Sequence, residues 1–281
     1  MLISSTRNPA VKLARSLYHK KYRKLHGKFL VEGIRPVKEA VDTGAPVEII
    51  FHCPDRLKSE LAFRTIEEAR RRGIKCLQVS ERVMESICMK ENPQGIAAVV
   101  AKVEKGLEDV EVGDDSLILW AHGIGDPGNL GTMIRTADAF GVDWFILSGR
   151  STDPFDPKSV RASMGSIFNV PIAIEPDPMR VASRLKEEGV KLVATSPSAE
   201  KLCFQADYEL PLALMVGSEG EGLPEELISL ADERIRIPMV GRADSLNVAV
   251  ATGITLYEIV RSLSPPSSTS RKRLSPRARP S

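Results

Sequence analysis

The fold of this chain is decided by residues 117–149, which read LILWAHGIGDPGNLGTMIRTADAFGVDWFILSG. An apolar run, LILWA, is followed by a loop of Gly, Asp and Pro, a helical pattern, and a second apolar run, WFILSG. A continuous apolar run of this length is typical of a strand that is buried on both faces. Two such strands joined by a helix predict a parallel pair with a crossover connection.

The same pattern continues toward the C-terminus. Four more apolar runs follow, separated by helical stretches or short turns: VPIAI (170–174), KLVATS (191–196), LALMVG (212–217) and RIRIPM (234–239). They predict a mainly parallel sheet covered by helices. The last helix, predicted over 245–263, is apolar on nearly every side. We therefore expect it to pack against more than one neighbour, including a second subunit.

The N-terminal part of the chain predicts a smaller α/β unit. Its expected helices are 8–19, 35–43, 56–72 and 81–89, and its expected strands are 29–33, 47–53, 75–80 and 95–103. The polar segment EKGLEDVEVGDDS (104–116) then marks a boundary. We expect one domain over 1–105, a second over 106–263 and a flexible, low-complexity basic tail over 264–281.

The net charge of +2 conceals an uneven distribution. Residues 1–105 carry 21 Lys and Arg against 12 Asp and Glu, whereas residues 106–263 carry 13 against 25. Residues 1–30 alone hold eight basic residues and no acid. A basic lobe beside an acidic body indicates that the lobe binds a polyanion.

Composition argues against several classes of protein. The four cysteines, Cys53, Cys76, Cys88 and Cys203, form no C-x-x-C pair. That favours reduced thiols and indicates neither a disulfide framework nor a metal site. No apolar run reaches the roughly eighteen residues of a membrane span, and the first residues have no apolar signal core. We expect a cytoplasmic protein without a membrane segment.

A dinucleotide site is one alternative for the loop after LILWA. Gly123, Gly125 and Gly128 match G-x-G-x-x-G, and Asp143 follows Gly123 by 20 residues. However, Pro127 supplies no N–H where backbone amides should face a pyrophosphate. Asp143 also begins the next strand, whereas a ribose-binding acid should stand at that strand's carboxyl end. The dehydrogenase interpretation is therefore the minor one.

Three longer motifs use these residues better. They are DPGNLGTMIRTADAFG (126–141), FDPKSVRASMGSIFNVPI (155–172), and ALMVGSEGEGLPEEL (213–227) continued by IRIPMVGRADSLNVAVATGITLYE (235–258). In this order they resemble motifs one, two and three of the SpoU/TrmH branch of the SPOUT methyltransferases. Residues 1–105 resemble, through FLVEG (29–33) and PQGI (93–96), the ribosomal-protein-like RNA-binding domain of several ribosomal RNA methyltransferases.

The resemblance implies a fold and a function. The fold would be an α/β domain with a mainly parallel sheet in trefoil-knotted SPOUT topology, preceded by a small α/β RNA-binding domain, in a homodimer. The function would be transfer of a methyl group from S-adenosylmethionine to a ribose 2′-hydroxyl of structured RNA, most simply large-subunit ribosomal RNA. The alternatives are a transfer RNA 2′-O-methyltransferase and an inactive RNA-binding assembly factor.

The resemblance also implies the site residues. The catalytic set would be Asn129, Arg135, Glu219, Ser245 and Asn247, and the cofactor contacts, largely from the backbone, would be Thr195, Gly217, Ile237 and Leu246. Ser163 and Gly165 of motif two would line the site. From residue type alone, Asn129 and Ser245 are natural helix N-caps.

Methyl transfer to a ribose hydroxyl requires positioning and a proton acceptor, because the hydroxyl is a weak acid. A guanidinium stays protonated in proteins, so an arginine is a poor base. We therefore expect Arg135 to clamp an RNA phosphate beside the target hydroxyl, and Glu219 to orient Arg135 or its own loop.

Overall fold

The computed structural model describes residues 2–88 and 92–263, and its contacts divide them into two compact units. The first unit comprises the residues up to Glu104 together with Leu130–Arg135 and Thr152–Asn169. The second comprises Lys105–Asn129, Thr136–Ser151 and the described residues from Val170 onward. The chain first passes from one unit to the other between residues 104 and 105, one residue before the expected boundary. However, Leu130–Arg135 and Thr152–Asn169, which were expected in the second domain, are grouped with the first unit.

The first unit is built on a five-stranded mixed sheet. Its strands are β1 (Leu2–Ile3), β2 (Lys28–Glu32), β3 (Val47–His52), β4 (Lys75–Val79) and β5 (Ile96–Ala101). They lie in the order β1-β4-β3-β5-β2. Strands β1, β4 and β3 run parallel, and β5 runs antiparallel to both β3 and β2. The four strands expected here are all present to within two residues at either end.

Helices cover this sheet. In chain order they are α1 (Pro9–Ser16), α2 (Lys20–His26), α3 (Ile34–Asp42), α4 (Glu60–Arg71) and α5 (Glu81–Cys88). The helix expected over 8–19 is present as the shorter α1, whereas α2 was not predicted from the sequence. Gly27 ends α2 in the left-handed conformation with φ 61°, which glycine adopts without steric cost. Residue 89, the expected end of the fourth helix, lies outside the described residues.

The core of the first unit explains why residues 152–169 belong to it. Phe155 and Val160 are buried in the same cluster as Phe29 and Val31 of β2. The rings of Phe29 and Phe155 lie 4.9 Å apart between centroids. Aromatic burial of this kind is among the largest contributions that a side chain makes to a core. An amphipathic pattern alone does not state which sheet such residues will cover.

The second unit is built on a seven-stranded parallel sheet. Its strands are β6 (Leu117–His122), β7 (Trp144–Ser148), β8 (Ile172–Ile174), β9 (Lys191–Thr195), β10 (Lys201–Leu202), β11 (Leu212–Val216) and β12 (Glu233–Arg236). They lie in the order β10-β12-β9-β11-β6-β7-β8, and every pair is parallel. The prediction of an α/β fold with a mainly parallel sheet is confirmed. The trefoil knot stays a prediction.

The remaining helices follow these strands. They are α6 (Pro127–Ala139), α7 (Pro157–Ser163), α8 (Pro178–Glu187), α9 (Glu225–Leu230) and α10 (Val248–Leu263). Trp120 of β6 packs with Val181 and Leu185 of α8 on one face of the sheet. Its strand neighbours Leu119 and Ala121 are fully buried as well. Burial on both faces is why these strands are apolar throughout. Within the described residues, no helix is long and apolar enough to cross a membrane.

Candidate active site and RNA-binding surface

The first turn of α6 places Asn129 at the carboxyl edge of the parallel sheet. Asp126 is the N-cap, and its Oδ1 accepts a hydrogen bond from the backbone N–H of Asn129 at 2.8 Å. Pro127 follows at the first helical position, where the missing N–H costs nothing. Asn129 therefore does not cap the helix, although its residue type would suit that role. Because Asp126 performs that role, the side-chain amide of Asn129 is left for other partners.

Asn129 joins two other segments through its side chain. Its Nδ2 donates to Oε1 of Glu219, in the loop after β11, at 2.6 Å. Its Oδ1 accepts from Nδ2 of Asn247 at 2.8 Å. Oδ1 of Asn247 in turn accepts from the backbone N–H groups of Ala249 and Val250, at 3.0 and 3.3 Å, in the first turn of α10. We call Glu219, Asn129 and Asn247 the amide relay.

The direction of each hydrogen bond in the amide relay is fixed by its two ends. Backbone N–H groups can only donate, so Asn247 must turn its oxygen toward α10 and its nitrogen toward Asn129. An ionised carboxylate can only accept, so Asn129 must turn its nitrogen toward Glu219. The two demands agree, and both amides have one consistent orientation. The relay therefore ties together the first turn of α6, the loop after β11 and the start of α10.

Asn247, and not Ser245, begins the last helix. The expected N-cap Ser245 is exposed and lies before α10 starts, and no hydrogen bond in the described part of the chain links it to the amide relay. The helix expected over 245–263 therefore starts three residues later. An asparagine side chain offers both an acceptor for the cap and a donor for Asn129, whereas a serine hydroxyl is too short to span both.

The loop after β11 is closed upon itself. Ser218 and Gly222 exchange two backbone hydrogen bonds, of 3.2 and 3.1 Å. A Cβ on Gly217 would lie 2.0 Å from the carbonyl carbon of Gly222, so the loop closes only with glycine at this position. The tight turn holds Glu219 at its exposed tip, facing Asn129. Glycine at position 217 is thus explained by close contact with the backbone of Gly222, within the same loop.

The four expected cofactor residues lie near this edge. Strands β12, β9 and β11 are neighbours, and Ile237, Thr195 and Gly217 stand at or just after their carboxyl ends. Thr195 uses its hydroxyl to bond the carbonyl of Met215 at 3.0 Å, which joins β9 to β11. Ile237 and Leu246 are half-buried, and Gly217 is buried. Among the described residues, no backbone–backbone hydrogen bond involves 238–246, which leaves that backbone available to a ligand.

Arg135 lies six residues after Asn129 on α6, in the stretch that is grouped with the first unit. Its side chain is exposed, and no ion pair of the described residues includes it. Glu219 accepts a hydrogen bond from Asn129 and makes no ion pair with Arg135 among the described residues, so the expected orientation of Arg135 by Glu219 is not seen. An exposed and unpaired guanidinium is available to a phosphate.

Motif two contributes packing to the first unit. Ser163 is fully buried, and its hydroxyl donates to the carbonyl of Val160 at 2.7 Å. Gly165 has a φ of 104°, and a Cβ there would lie 2.9 Å from that of Glu39 on α3. Packing therefore explains both residues, and their expected role in lining the site stays a prediction. Gly131 of motif one is similar, since a Cβ would lie 2.2 Å from the carbonyl oxygen of Ser159.

Asp143 excludes the dinucleotide interpretation. Its Oδ2 accepts from the backbone N–H of Leu117 at 2.8 Å, and its own N–H donates to the carbonyl of Leu117 at 2.8 Å. Both contacts lie at the amino end of β6. A ribose-binding acid belongs at the opposite edge of such a sheet.

Two histidines are partly shielded from solvent. Burial lowers the pKa of His122, whose Nδ1 lies 2.9 Å from Oγ of Ser148 at the end of β7. That hydroxyl also accepts from Nε1 of Trp120 at 2.8 Å, so the natural arrangement has Ser148 donating to a neutral imidazole. In the first unit, burial and the neighbouring Arg70 lower the pKa of His52. Among the described residues, no three His, Cys, Asp or Glu side chains come together as metal ligands.

The basic N-terminal segment divides into exposed and buried cations. Lys20, Lys21 and Lys24 of α2 are exposed, and we call them the lysine patch. Lys28 is half-buried and pairs with Glu48 at 2.6 Å. Lys12 and Arg15 of α1 and Arg7 before it are also exposed.

Arg23, one of the eight basic residues of 1–30, does not face the solvent. It is only 2% exposed. Its guanidinium pairs with Asp153 at 2.9 Å and Asp156 at 3.2 Å, and donates to the carbonyls of Leu17 and Tyr18 at 3.1 and 2.9 Å. Charge counting missed this role because it does not distinguish a surface cation from an internal one. The acids that pair with Arg23 lie 130 and 133 residues away in the chain.

Comparison with known proteins places both parts of the chain. The sequence pattern of the SpoU rRNA methylase family matches residues 116–257, about half of the chain, and that of the MRM3-like substrate binding domain matches residues 8–98. The chain belongs to the SpoU rRNA methylase family. The prediction of a SpoU-type RNA methyltransferase with an N-terminal substrate-binding domain is confirmed.

Relatives of this SpoU methylase match nearly its whole length. The 23S rRNA (guanosine(2553)-2′-O)-methyltransferase RlmP of Bacillus subtilis is 36% identical over 92% of this chain and 98% of its own. The crystal structure of an AdoMet-bound rRNA methyltransferase from Sinorhizobium meliloti superposes with a TM-score of 0.84 at 36% identity, covering 94% and 99%. The SpoU methyltransferase AviRb of Streptomyces viridochromogenes superposes with a TM-score of 0.81 at 32% identity, covering 90% and 97%.

Proposed function

We propose that this SpoU methylase transfers a methyl group from S-adenosylmethionine to a ribose 2′-hydroxyl of large-subunit ribosomal RNA. Family membership establishes the class of enzyme, and the amide relay is the observation that supports an active site in the second unit. Two relatives that match 92% and 84% of this chain are named as 2′-O-methyltransferases of 23S rRNA. The complete N-terminal unit favours that substrate over transfer RNA, and the intact amide relay favours an active enzyme over an inactive assembly factor.

The residues present fit S-adenosylmethionine. The uncommitted backbone of 238–246 offers donors and acceptors, and the half-buried side chains of Ile237 and Leu246 offer apolar contact for an adenine ring. With Thr195 and Gly217, they are the groups that would hold the cofactor. When bound, the cofactor supplies a methyl group that a sulfonium activates for transfer.

The chain's own residues supply positioning and a proton acceptor. The amide relay holds the first turn of α6, the loop after β11 and the start of α10 together, which fixes the positions of the groups that they carry. Glu219 is the carboxylate of the relay and the group there that can accept a proton. Arg135 binds a phosphate of the RNA strand, since its guanidinium is exposed and has no ion-pair partner among the described residues. Ser245 contacts the RNA through its exposed hydroxyl.

We also propose a homodimer whose interface includes α10. Val250, Ile254 and Tyr257 are 51, 38 and 56% exposed, and their spacing places them on one face of the helix. An apolar stripe of this kind is typical of a surface covered by a second subunit. A trefoil knot, a cytoplasmic location and the absence of a bound metal complete the proposal.

The function is tested by incubating the full chain with ribosomal RNA that lacks modifications and with cofactor labelled in its methyl group. We expect the label at one ribose, where it blocks alkaline cleavage of the following phosphodiester bond. Label on a base, or on transfer RNA alone, would refute the proposal. Asn129→Ala should abolish labelling, whereas Lys186→Ala, at an exposed residue of α8, should leave it unchanged.

A further inference from the structure

The short helix α2 carries a row of aromatic rings on its surface. His19, at the N-cap, and Tyr22 have ring centroids 6.3 Å apart. Tyr22 and His26 are also 6.3 Å apart, and their planes differ by only 14°. Tyr22 is 38% exposed and Leu25 beside it is 68% exposed. The rings and the Leu25 side chain thus form an exposed, partly apolar patch, and exposure of such a patch to water is unfavourable.

This row of rings is not part of a core. The two hydrophobic clusters of the first unit, as far as its residues are described, contain no side chain from α2. A helix of seven residues is too short to be stable by itself. Arg23 supplies the anchor, because its buried guanidinium binds Asp153, Asp156 and two backbone carbonyls. The helix is therefore held from within while the rings face outward.

The surroundings of the rings select the partner. The lysine patch lies on the same helix, and Nζ of Lys21 is 6.0 Å from the centroid of the Tyr22 ring. Residues 1–31 contain no acid, so a negatively charged partner meets no repulsion here. Phosphates beside an aromatic face are the chemistry of single-stranded nucleic acid, in which bases stack on protein rings while lysines bind the backbone.

We propose that Tyr22, flanked by His19 and His26, is a platform on which an unpaired base of the RNA substrate stacks. The lysine patch binds the adjoining phosphates. This inference rests on the proposed function, and it adds that the first unit recognises a loop, bulge or end. A continuous A-form helix offers phosphates and 2′-hydroxyls but no open base face.

The test compares Tyr22→Ala with Tyr22→Phe, and uses Phe63→Ala as the matched control. Phe63 is an aromatic residue of the same unit, on α4, and is 46% exposed. Affinity is measured by fluorescence anisotropy for an RNA hairpin with an unpaired loop and for a blunt duplex of the same stem sequence. Tyr22→Ala should weaken hairpin binding by about five- to 150-fold, the range that removal of one stacking platform produces.

The other arms of the test follow from the same geometry. Tyr22→Phe, which keeps the ring, and Phe63→Ala should each bind the hairpin as the wild type does. Duplex binding should be unchanged in all three variants. Tyr22→Ala should leave the salt dependence unaltered, since every lysine that binds a phosphate is still present. Equal weakening on hairpin and duplex, or an unchanged hairpin affinity, would overturn the proposal; the second result would assign the rings to a protein partner.

Methyl transfer separates failure of this inference from failure of the proposed function. If the wild type labels ribosomal RNA while Tyr22→Ala keeps its KM, the platform is refuted and the function stands. If the wild type labels no ribosomal RNA, the proposed function itself fails, whatever the hairpin affinities. We expect Tyr22→Ala to raise KM and to change kcat much less, because docking precedes the chemical step.

Discussion

Replacing Arg23 by Ala tests whether this buried cation stabilises the folded protein. The substitution removes a guanidinium that is 2% exposed, so that two carboxylates lose their charge partner and two carbonyls lose a donor. Removing one partner of a buried ion pair costs about 3–5 kcal/mol. The side chains of Asp153 and Asp156 are 12 and 28% exposed and can regain water. We therefore expect a value near the lower end, about 3 kcal/mol.

The assay is thermal unfolding followed by circular dichroism, with Lys24→Ala as the control on the same helix. A decrease in stability of about 3 kcal/mol corresponds to a fall in Tm of roughly 6–12 °C for a domain of this size. Lys24→Ala should change Tm by less than about 2 °C, since its side chain is exposed and surface substitutions are nearly neutral. If the two variants unfold at the same temperature, Arg23 is not the anchor of α2 and the reasoning is refuted.

Four further outcomes are expected. Arg135→Ala should reduce methyl transfer at least about 100-fold, the cost of a misplaced substrate, and leave the Kd for S-adenosylmethionine within about twofold; a parallel fall in cofactor affinity would contradict the phosphate role. Changing Lys20, Lys21 and Lys24 together to Ala should make the slope of log K for RNA binding against log salt concentration less steep, by about 0.7–0.9 for each phosphate that the variant no longer neutralises. An unchanged slope in the folded variant would show that the lysine patch does not bind RNA phosphates. Tyr257→Glu should produce monomers in sedimentation experiments, and a dimer that persists would place the interface elsewhere. Burial lowers the pKa of His122, so the unfolded chain takes up a proton that the folded chain excludes. The free energy of unfolding should therefore fall as pH drops below about 6.5, the pKa of a free histidine. His122→Gln should lessen that fall, measured by denaturant titration at several pH values.

The sequence by itself determined the class of fold and the family. Strands buried on both faces must be apolar throughout, so LILWA, WFILSG, KLVATS and LALMVG are enough to predict a parallel sheet. The three motifs then identified the SpoU methylase, because their residues recur in a fixed order along the chain. Of the expected catalytic residues, Asn129, Glu219 and Asn247 meet in the structure, although the amide relay that joins them spans 118 residues of sequence.

Only the tertiary structure decided which polar residues serve which partner. Asp126 and Asn247, and not Asn129 and Ser245, cap α6 and α10, since a cap depends on where the first helical turn begins and what the neighbouring loop requires. Arg23 is indistinguishable from Lys20, Lys21 and Lys24 in a count of charges. Its burial follows from two aspartates that the folded chain brings beside it from more than a hundred residues away. Periodicity indicates which face of a segment is apolar, but the partner of a buried charge is a property of distance in space.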